Sequence, residues 1–192
     1  MEIKKHTHED GERFYEIEGV YYPSSTTILD CYPLDKGLKD FLQNNTKEQA
    51  DKVLNDAGMQ GSKIHHAIEL LIAGETIYPE GISLEQVDKI NLDDTDLINY
   101  LLKPFTEKED KMMIGFQNWW EKFQPKTVES EKMVYSKKYG YAGTMDWMGY
   151  IGKDLVVIDW KSGKGLYKSY DLQVASYVYA NAEMVGKGKK PT

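Results

Sequence analysis

The 192-residue chain contains one cysteine, one arginine and no long apolar run. Its single cysteine, Cys31, cannot form an internal disulfide, which favours a reducing compartment. No apolar stretch approaches the roughly 18 residues that a membrane-spanning helix needs, and the polar N-terminus does not resemble a signal peptide. We therefore expect a cytoplasmic protein, long enough for one domain with its own hydrophobic core.

Basic residues are scarce in the middle of the chain and outnumber acidic residues in its C-terminal part. Residues 51–110 carry 13 acidic and 5 basic side chains, whereas residues 111–192 carry 13 basic and 8 acidic ones. A local positive region attracts a phosphodiester even when the net charge is −7. Because every basic residue except Arg13 is a lysine, any nucleic-acid contact should be made mostly to the backbone.

The N-terminal segment predicts a hairpin followed by a helix. Residues 12–22 alternate apolar and polar side chains around Gly19, which indicates two short strands. The hydroxyl residues Ser25, Thr26 and Thr27 then precede an apolar pair, as residues at a helix N-terminus do.

Helical patterns dominate the middle of the chain. Apolar residues at steps of three and four predict helix over 46–73, either divided or kinked near Gly58 and Gly61. The acidic segment 74–106 has little pattern, and we interpret it as an insertion or mobile lid. A helix over 107–123 follows, with an aromatic stripe that is more typical of a core than of base stacking.

In the C-terminal third of the chain, apolar residues recur at every second position. Residues 128–136, 141–151 and 155–160 read as three strands of an antiparallel meander, and a helix over 170–183 follows them. The apolar residues of that helix predict its buried face, namely Leu172, Ala175, Val178, Tyr179 and Ala182.

The second hairpin of the meander brings two acids together. Gly152 and Lys153 suit a two-residue turn, and the register that this turn sets places Asp146 directly opposite Asp159. Opposed residues have Cβ atoms roughly 4.5–5.5 Å apart. Carboxylates that close repel each other, so one must be protonated or a cation must lie between them.

A lysine and a helical pair extend this group. Lys161 lies two residues after Asp159 and so points to the same face of the strand. The hairpin alone leaves two alternatives open, a divalent-metal site with an adjacent ammonium group or a surface cluster of acids and lysine.

Histidine residues in the predicted helix over 46–73 favour the metal site. His65 and Glu69 share one helix face one turn after Gly61, whereas His66 points about 100° away. Gly61 would let another backbone or a substrate approach closely. Imidazole together with carboxylates favours Mn²⁺ and still admits Mg²⁺.

Four short motifs occur in order along the chain. They are Gly61 to His65 with Glu69, Gly143 to Asp146, Asp159 to Lys161, and Gln173 to Tyr177. This series resembles the RecB-like nucleases of the PD-(D/E)XK superfamily, in particular the phage-encoded and mitochondrial single-strand DNA exonucleases. One such motif alone is weak, but four with this order and spacing are specific.

The resemblance implies a role for each matching residue. The metal ligands would be His65, Asp146, Asp159 and the main-chain carbonyl of Trp160, and Lys161 would act on the attacking water. Glu69 would either contact the metal ligands from behind or bind a second metal ion, and Gln173 and Tyr177 would act around the lysine and the DNA backbone. The residues expected to contact DNA are Ser25, Thr26, Thr27, Lys137, Lys138, Lys164 and Lys168.

The resemblance also implies a restriction-endonuclease-like α/β (α+β) fold, with a three-stranded antiparallel meander flanked by helices. We expect a single nuclease domain over 1–192, with N-terminal elements in 1–57, a catalytic core over 58–185 and a tail over 186–192. The last core strand of the superfamily is missing, so a partner protein or a further C-terminal segment would complete the sheet.

The expected function is a DNA nuclease that uses Mg²⁺ or Mn²⁺ and acts as an exonuclease on single strands or DNA ends. A phage protein in the cytoplasm of a bacterial host fits this expectation. The alternatives are a DNA-binding module of the same fold that does not cleave, and a structure-specific endonuclease. A structural zinc protein is disfavoured by the single cysteine and dispersed histidines.

Overall fold

The computed structural model describes residues 2–8, 12–90, 92, 94–163 and 165–186. Lys164 and residues 187–192, which belong to the predicted DNA contacts and tail, lie outside this part of the chain. The chain divides into two compact units. The sheet unit comprises residues 1–35, 125–159 and 165–192, and the helical unit comprises residues 36–124 and 160–164.

The first sheet of the sheet unit is an antiparallel meander near the N-terminus. Its strands are β1 (Ile3–Thr7), β2 (Arg13–Ile17) and β3 (Val20–Pro23), in that order. Glu18 and Gly19 both have positive φ, 53° and 78°, as a tight two-residue hairpin turn requires. The predicted hairpin is confirmed, and β1 is an additional strand that the pattern did not reveal.

The second sheet has the order β4-β5-β6, with strands β4 (Lys126–Ser136), β5 (Tyr141–Ile151) and β6 (Asp154–Ile158). The predicted meander and its register are confirmed, because Ile151 pairs with Asp154 at the turn and Trp147 pairs with Ile158. Gly152 has a φ of 60°, which suits the predicted turn. The predicted end of the third strand at residue 160 is wrong, since β6 stops one residue before Asp159.

Two helices belong to the sheet unit, α1 (Ser25–Leu29) and, at the C-terminal end, α7 (Lys168–Met184). The predicted buried face of α7 is wrong: Leu172 is 43% exposed and Tyr179 is 62% exposed. Its buried residues are instead Gln173, Tyr177, Ala180 and Asn181. Apolar periodicity misplaces this face because polar and aromatic side chains occupy much of it.

The helical unit contains five helices in its described residues: α2 (Lys36–Asn44), α3 (Lys47–Ile72), α4 (Leu84–Ile90), α5 (Thr95–Leu101) and α6 (Glu107–Phe123). The helix α3 is continuous, so Gly58 and Gly61 do not divide it into two. It begins with a capping box between Thr46 and Gln49. The bounds of α6 are those that the sequence predicts.

The segment 74–106, which we interpreted as an insertion or mobile lid, contributes residues to the core of the helical unit. Ile82, Val87 and Leu101 are at most 5% exposed and belong to the same apolar cluster as α3 and α6. The acidic composition gave no indication of these buried residues, because several of the acids lie at helix ends. Asp94, for example, caps α5 by accepting hydrogen bonds from the main-chain N–H groups of residues 96 and 97.

A buried ion pair is a feature of the helical unit that the sequence did not indicate. Lys63 on α3 is 1% exposed, and its ammonium donates hydrogen bonds to the carbonyls of Lys103 and Pro104, at 2.7 and 3.1 Å. The carboxylate of Glu109, which is fully buried, lies 3.7 Å from the same nitrogen. Burial lowers the pKa of Lys63, and the neighbouring Glu109 opposes that effect.

The protein is therefore a mixed α/β protein, with two three-stranded antiparallel sheets and seven helices in the part that the structure describes. Within that same part, no helix combines the length and the apolar character needed to cross a membrane.

Candidate functional site

The two predicted acids lie close to one phenol in the sheet unit. Asp146 is on β5 and is 8% exposed, and Asp159 directly follows β6. The pKa of Tyr177 is raised, first by burial and then by the carboxylates of Asp159 and Asp146. The pairing of β5 with β6 ends at Trp147 and Ile158, and the continuation of that register would place Asp146 opposite Asp159.

Helix α7 supplies the groups that hold Asp159. Gln173 donates a hydrogen bond from Nε2 to Oδ1 of Asp159 at 3.0 Å, and the same nitrogen lies 2.8 Å from the hydroxyl of Tyr177. Gln173 and Tyr177 are one helical turn apart, so a single face of α7 carries both. The amide thereby orients the carboxylate that the resemblance assigns to metal binding.

Gly143 explains why the motif that ends at Asp146 begins with glycine. A Cβ atom at this position would lie 2.6 Å from Cε1 of Tyr177 and 3.1 Å from Oγ of Ser25. Because real Cβ atoms do not come this close to a ring, only glycine lets Tyr177 lie against β5 at this point.

The hydroxyl residues at the N-terminus of α1 have a structural role. Ser24 caps the helix by accepting a hydrogen bond from the N–H of Thr27 at 3.0 Å. Ser25, which we expected to contact DNA, is 4% exposed and so is buried inside the sheet unit. The hydroxyl of Thr26 accepts a hydrogen bond from Arg13 at 3.2 Å.

A backbone irregularity lies across from Asp146. Glu131 stands between Ser130 and Lys132, which pair with Trp147 and Met145, and its φ is 50°. A left-handed backbone at a residue other than glycine costs roughly 1–3 kcal/mol, and no pattern in the sequence signals it. Burial raises the pKa of Tyr15, and the negative charge of Glu131 raises it further.

In the helical unit, the segment around Lys161 packs against α3 and α6. A Cβ atom at Gly61 would lie 3.2 Å from Oγ of Ser162, so the group that approaches this glycine is a side-chain hydroxyl, whereas the sequence predicted a backbone or a substrate. The ring of Trp160 packs edge-on against Phe116 and Trp119, with centroid distances of 5.2 and 5.4 Å. Lys161 itself is exposed.

The histidine pair on α3 differs from the expectation in one contact. Nδ1 of His66 lies 3.1 Å from Oε2 of Glu69, an arrangement three residues apart that the sequence analysis did not anticipate. His65 is partly buried on the same helix. Both histidines and Glu69 belong to the helical unit, whereas Asp146 and Asp159 belong to the sheet unit.

The lysines expected to contact DNA have different surroundings. Nζ of Lys137 lies 2.6 Å from the carboxylate of Glu18, and this ion pair competes with a phosphate contact. Nζ of Lys138 lies 4.6 Å from the ring centroid of Tyr139. Lys168 is exposed at the first residue of α7.

The donor set near Asp146 fits a hard divalent cation. Within the described ranges, no group of three or more His, Cys, Asp or Glu side chains is placed to hold one ion. Magnesium does not need such a group, because it keeps several waters and is commonly bound by one or two carboxylates together with substrate phosphates. The pair formed by Asp146 and Asp159 meets that requirement.

A surface depression of about 600 Å³ lies in the helical unit and is lined by residues of the segment 74–86 and Leu102. None of the predicted site residues lines it. Comparison with known proteins adds no family, since no family model matches the chain and no curated protein matches its sequence.

Proposed function

We propose that this chain is a divalent-metal-dependent deoxyribonuclease of the RecB-like PD-(D/E)XK type. The observation that supports it best is the pair of carboxylates, Asp146 and Asp159, at the end of one hairpin beside a single buried phenol. The order of elements around that hairpin, one helix before three antiparallel strands and one after them, suits the restriction-endonuclease-like core of that superfamily.

A cation would stabilise the two carboxylates. Two acids beside one buried phenol repel each other, and Asp146 is 8% exposed, so water screens it poorly. A divalent ion removes that repulsion, and carboxylate oxygens are the ligands that Mg²⁺ and Mn²⁺ prefer. A binding module without cleavage has no need for this arrangement.

The residues then have separate tasks. The bound ion would polarise the scissile phosphate and lower the pKa of a water molecule. Asp146 and Asp159 would hold it, and Gln173 keeps the Asp159 carboxylate in one orientation through its 3.0 Å hydrogen bond. The ammonium group of Lys161 would act on the attacking water and on the negative charge that develops at phosphorus.

The motif resemblance implies two further metal ligands, the imidazole of His65 and the main-chain carbonyl of Trp160. The substrate would be single-stranded DNA or DNA ends, contacted mainly through phosphates by the lysines of the C-terminal third. Attack at chain ends, that is exonuclease action, is the mode that we propose.

The test is cleavage of end-labelled single-stranded DNA by the variants Asp146→Asn and Asp159→Asn, with Mg²⁺ or Mn²⁺. Each should abolish cleavage and leave DNA binding similar or tighter, because a ligand is lost and repulsion toward the phosphate falls. Asp154→Asn, at the exposed start of the same strand β6, is the matched control and should cleave as the wild type does.

Cleavage close to the wild-type rate in either variant would contradict the assignment of the carboxylates. A wild-type protein that binds single strands but cleaves nothing with either ion would instead be the binding module. Blocking the 5′ or the 3′ end, and using a circular single strand, separates exonuclease from endonuclease action.

A further inference from the structure

An aromatic pair is exposed where α7 begins. Tyr167, the residue before the helix, is 40% exposed, and its ring lies edge-on to that of Tyr170, with a centroid distance of 5.3 Å and an angle of 83°. The N–H of Tyr170 donates a hydrogen bond to the carbonyl of Tyr167 at 2.9 Å. The exposed ring is therefore supported by a second ring and by the backbone of the helix.

This pair lies beside the carboxylate site. Tyr170 is one helical turn before Gln173, the residue that donates a hydrogen bond to Asp159. Burial raises the pKa of Tyr170, and the nearby Tyr167 and the Asp159 carboxylate raise it further. The ring of Tyr170, against which Tyr167 packs, is thus near an acid that the proposed function assigns to the metal.

The surroundings of the pair suit a nucleotide. Leu166, directly before Tyr167, is 95% exposed, and Lys168, directly after it, is exposed as well. A flat ring flanked by an apolar side chain and a positive charge can contact a base and its phosphate at once. Both faces of a base inside a duplex are covered by its neighbours, so only an unpaired base can stack on Tyr167.

We propose that Tyr167, supported by Tyr170, stacks on an unpaired base of the substrate next to Asp159, and that this contact selects single-stranded over duplex DNA. The inference rests on the proposed nuclease function and names the residue that determines its preference for single strands. It agrees with a chain that has one arginine, because stacking tolerates every base and needs no readout of base edges.

The test measures binding of fluorescein-labelled oligothymidine, and of an abasic oligomer of equal length, to the full chain by anisotropy in EDTA. Stacking on an aromatic side chain is worth about 1–3 kcal/mol per base, so Tyr167→Ala should weaken oligothymidine binding roughly 5- to 150-fold. Tyr167→Phe keeps the ring and should bind as the wild type does. Tyr179→Ala, which removes a 62% exposed tyrosine elsewhere on α7, is the matched control.

The abasic oligomer has no bases to stack, so comparing it with oligothymidine measures stacking in the wild-type protein itself. The wild type should bind it more weakly than oligothymidine, and Tyr167→Ala should bind the two equally. Equal binding of both oligomers by the wild type, or unchanged oligothymidine binding by Tyr167→Ala, would overturn the inference even if the protein cleaves DNA. A wild type that neither binds nor cleaves oligothymidine with Mg²⁺ or Mn²⁺ overturns the proposed function, and the inference with it.

Discussion

Substitution of Gly143 by alanine is expected to destabilise the sheet unit by displacing one ring. The added methyl group would lie 2.6 Å from Cε1 of Tyr177, whereas carbon atoms in contact are about 3.5–4.0 Å apart. The ring would have to move by about 1 Å at this contact, although Tyr177 is 3% exposed and its neighbours leave little room. The movement would also strain its contact with Gln173.

The expected cost follows from the packing. Overpacking of a well-filled core costs typically about 1–3 kcal/mol. The unfolded chain has less backbone entropy with alanine than with glycine, which offsets up to about 1 kcal/mol of this cost. The φ of Gly143 is not positive, so no conformational strain adds to the cost. A net loss of about 1–2 kcal/mol lowers the melting temperature of a chain of this length by roughly 2–8 °C.

Urea and thermal unfolding followed by circular dichroism measure this loss. Gly58→Ala is the matched control, since a Cβ atom there meets nothing within 4 Å and lies in helix α3. It should leave stability unchanged or raise it by up to about 1 kcal/mol. The Gly143→Ala penalty should shrink in a Tyr177→Leu background, because the clashing ring is gone. An equal penalty in both backgrounds, or none at all, would refute the reasoning.

Three further predictions concern individual side chains. Lys161→Ala should lower turnover about 10²- to 10⁴-fold while calorimetry shows unchanged metal binding; a collapse of metal binding would contradict its role. His65→Ala should reduce cleavage far more than His66→Ala, and equal losses would show that the wrong histidine is assigned to the metal. The carboxylate of Glu183 accepts a hydrogen bond from Ser136 at 2.6 Å, which lowers its pKa below the usual 4.5. The stability that the Glu183 carboxylate gives the fold is therefore present above pH 4.5 and is lost as the pH falls through its lowered pKa. Glu183→Gln should lower the free energy of unfolding by about 0.5–1 kcal/mol near neutral pH. The variant should lose less stability than the wild type in an acid titration by circular dichroism.

Local patterns predicted the elements whose residues interact mainly with near neighbours. The turn at Gly152 sets the register of its hairpin by itself, and so the pairing of Trp147 with Ile158 followed from the sequence. Helix α6 has a capping box at one end and a left-handed residue, Gln124, at the other, and both ends were predicted correctly.

Long-range packing decided what the patterns missed. The segment 74–106 reads as polar because many of its residues are acidic, yet its few apolar side chains, such as Leu101, complete a core with α3 and α6. Helix α7 turns Gln173 and Tyr177 inward, against the face that apolar periodicity selects, because Gln173 there donates hydrogen bonds to Asp159 and to the hydroxyl of Tyr177.

The sequence by itself determined the order of elements from α6 to α7, the hairpin register and the candidate acids, because turns and strand periodicity act over a few residues. Only the tertiary structure decided that the ring of Tyr177 lies against Gly143, that Gln173 bonds to Asp159 and that Ser25 is buried. Each of these contacts joins residues far apart in the chain, and their distances depend on how whole helices and sheets pack, which no local pattern encodes.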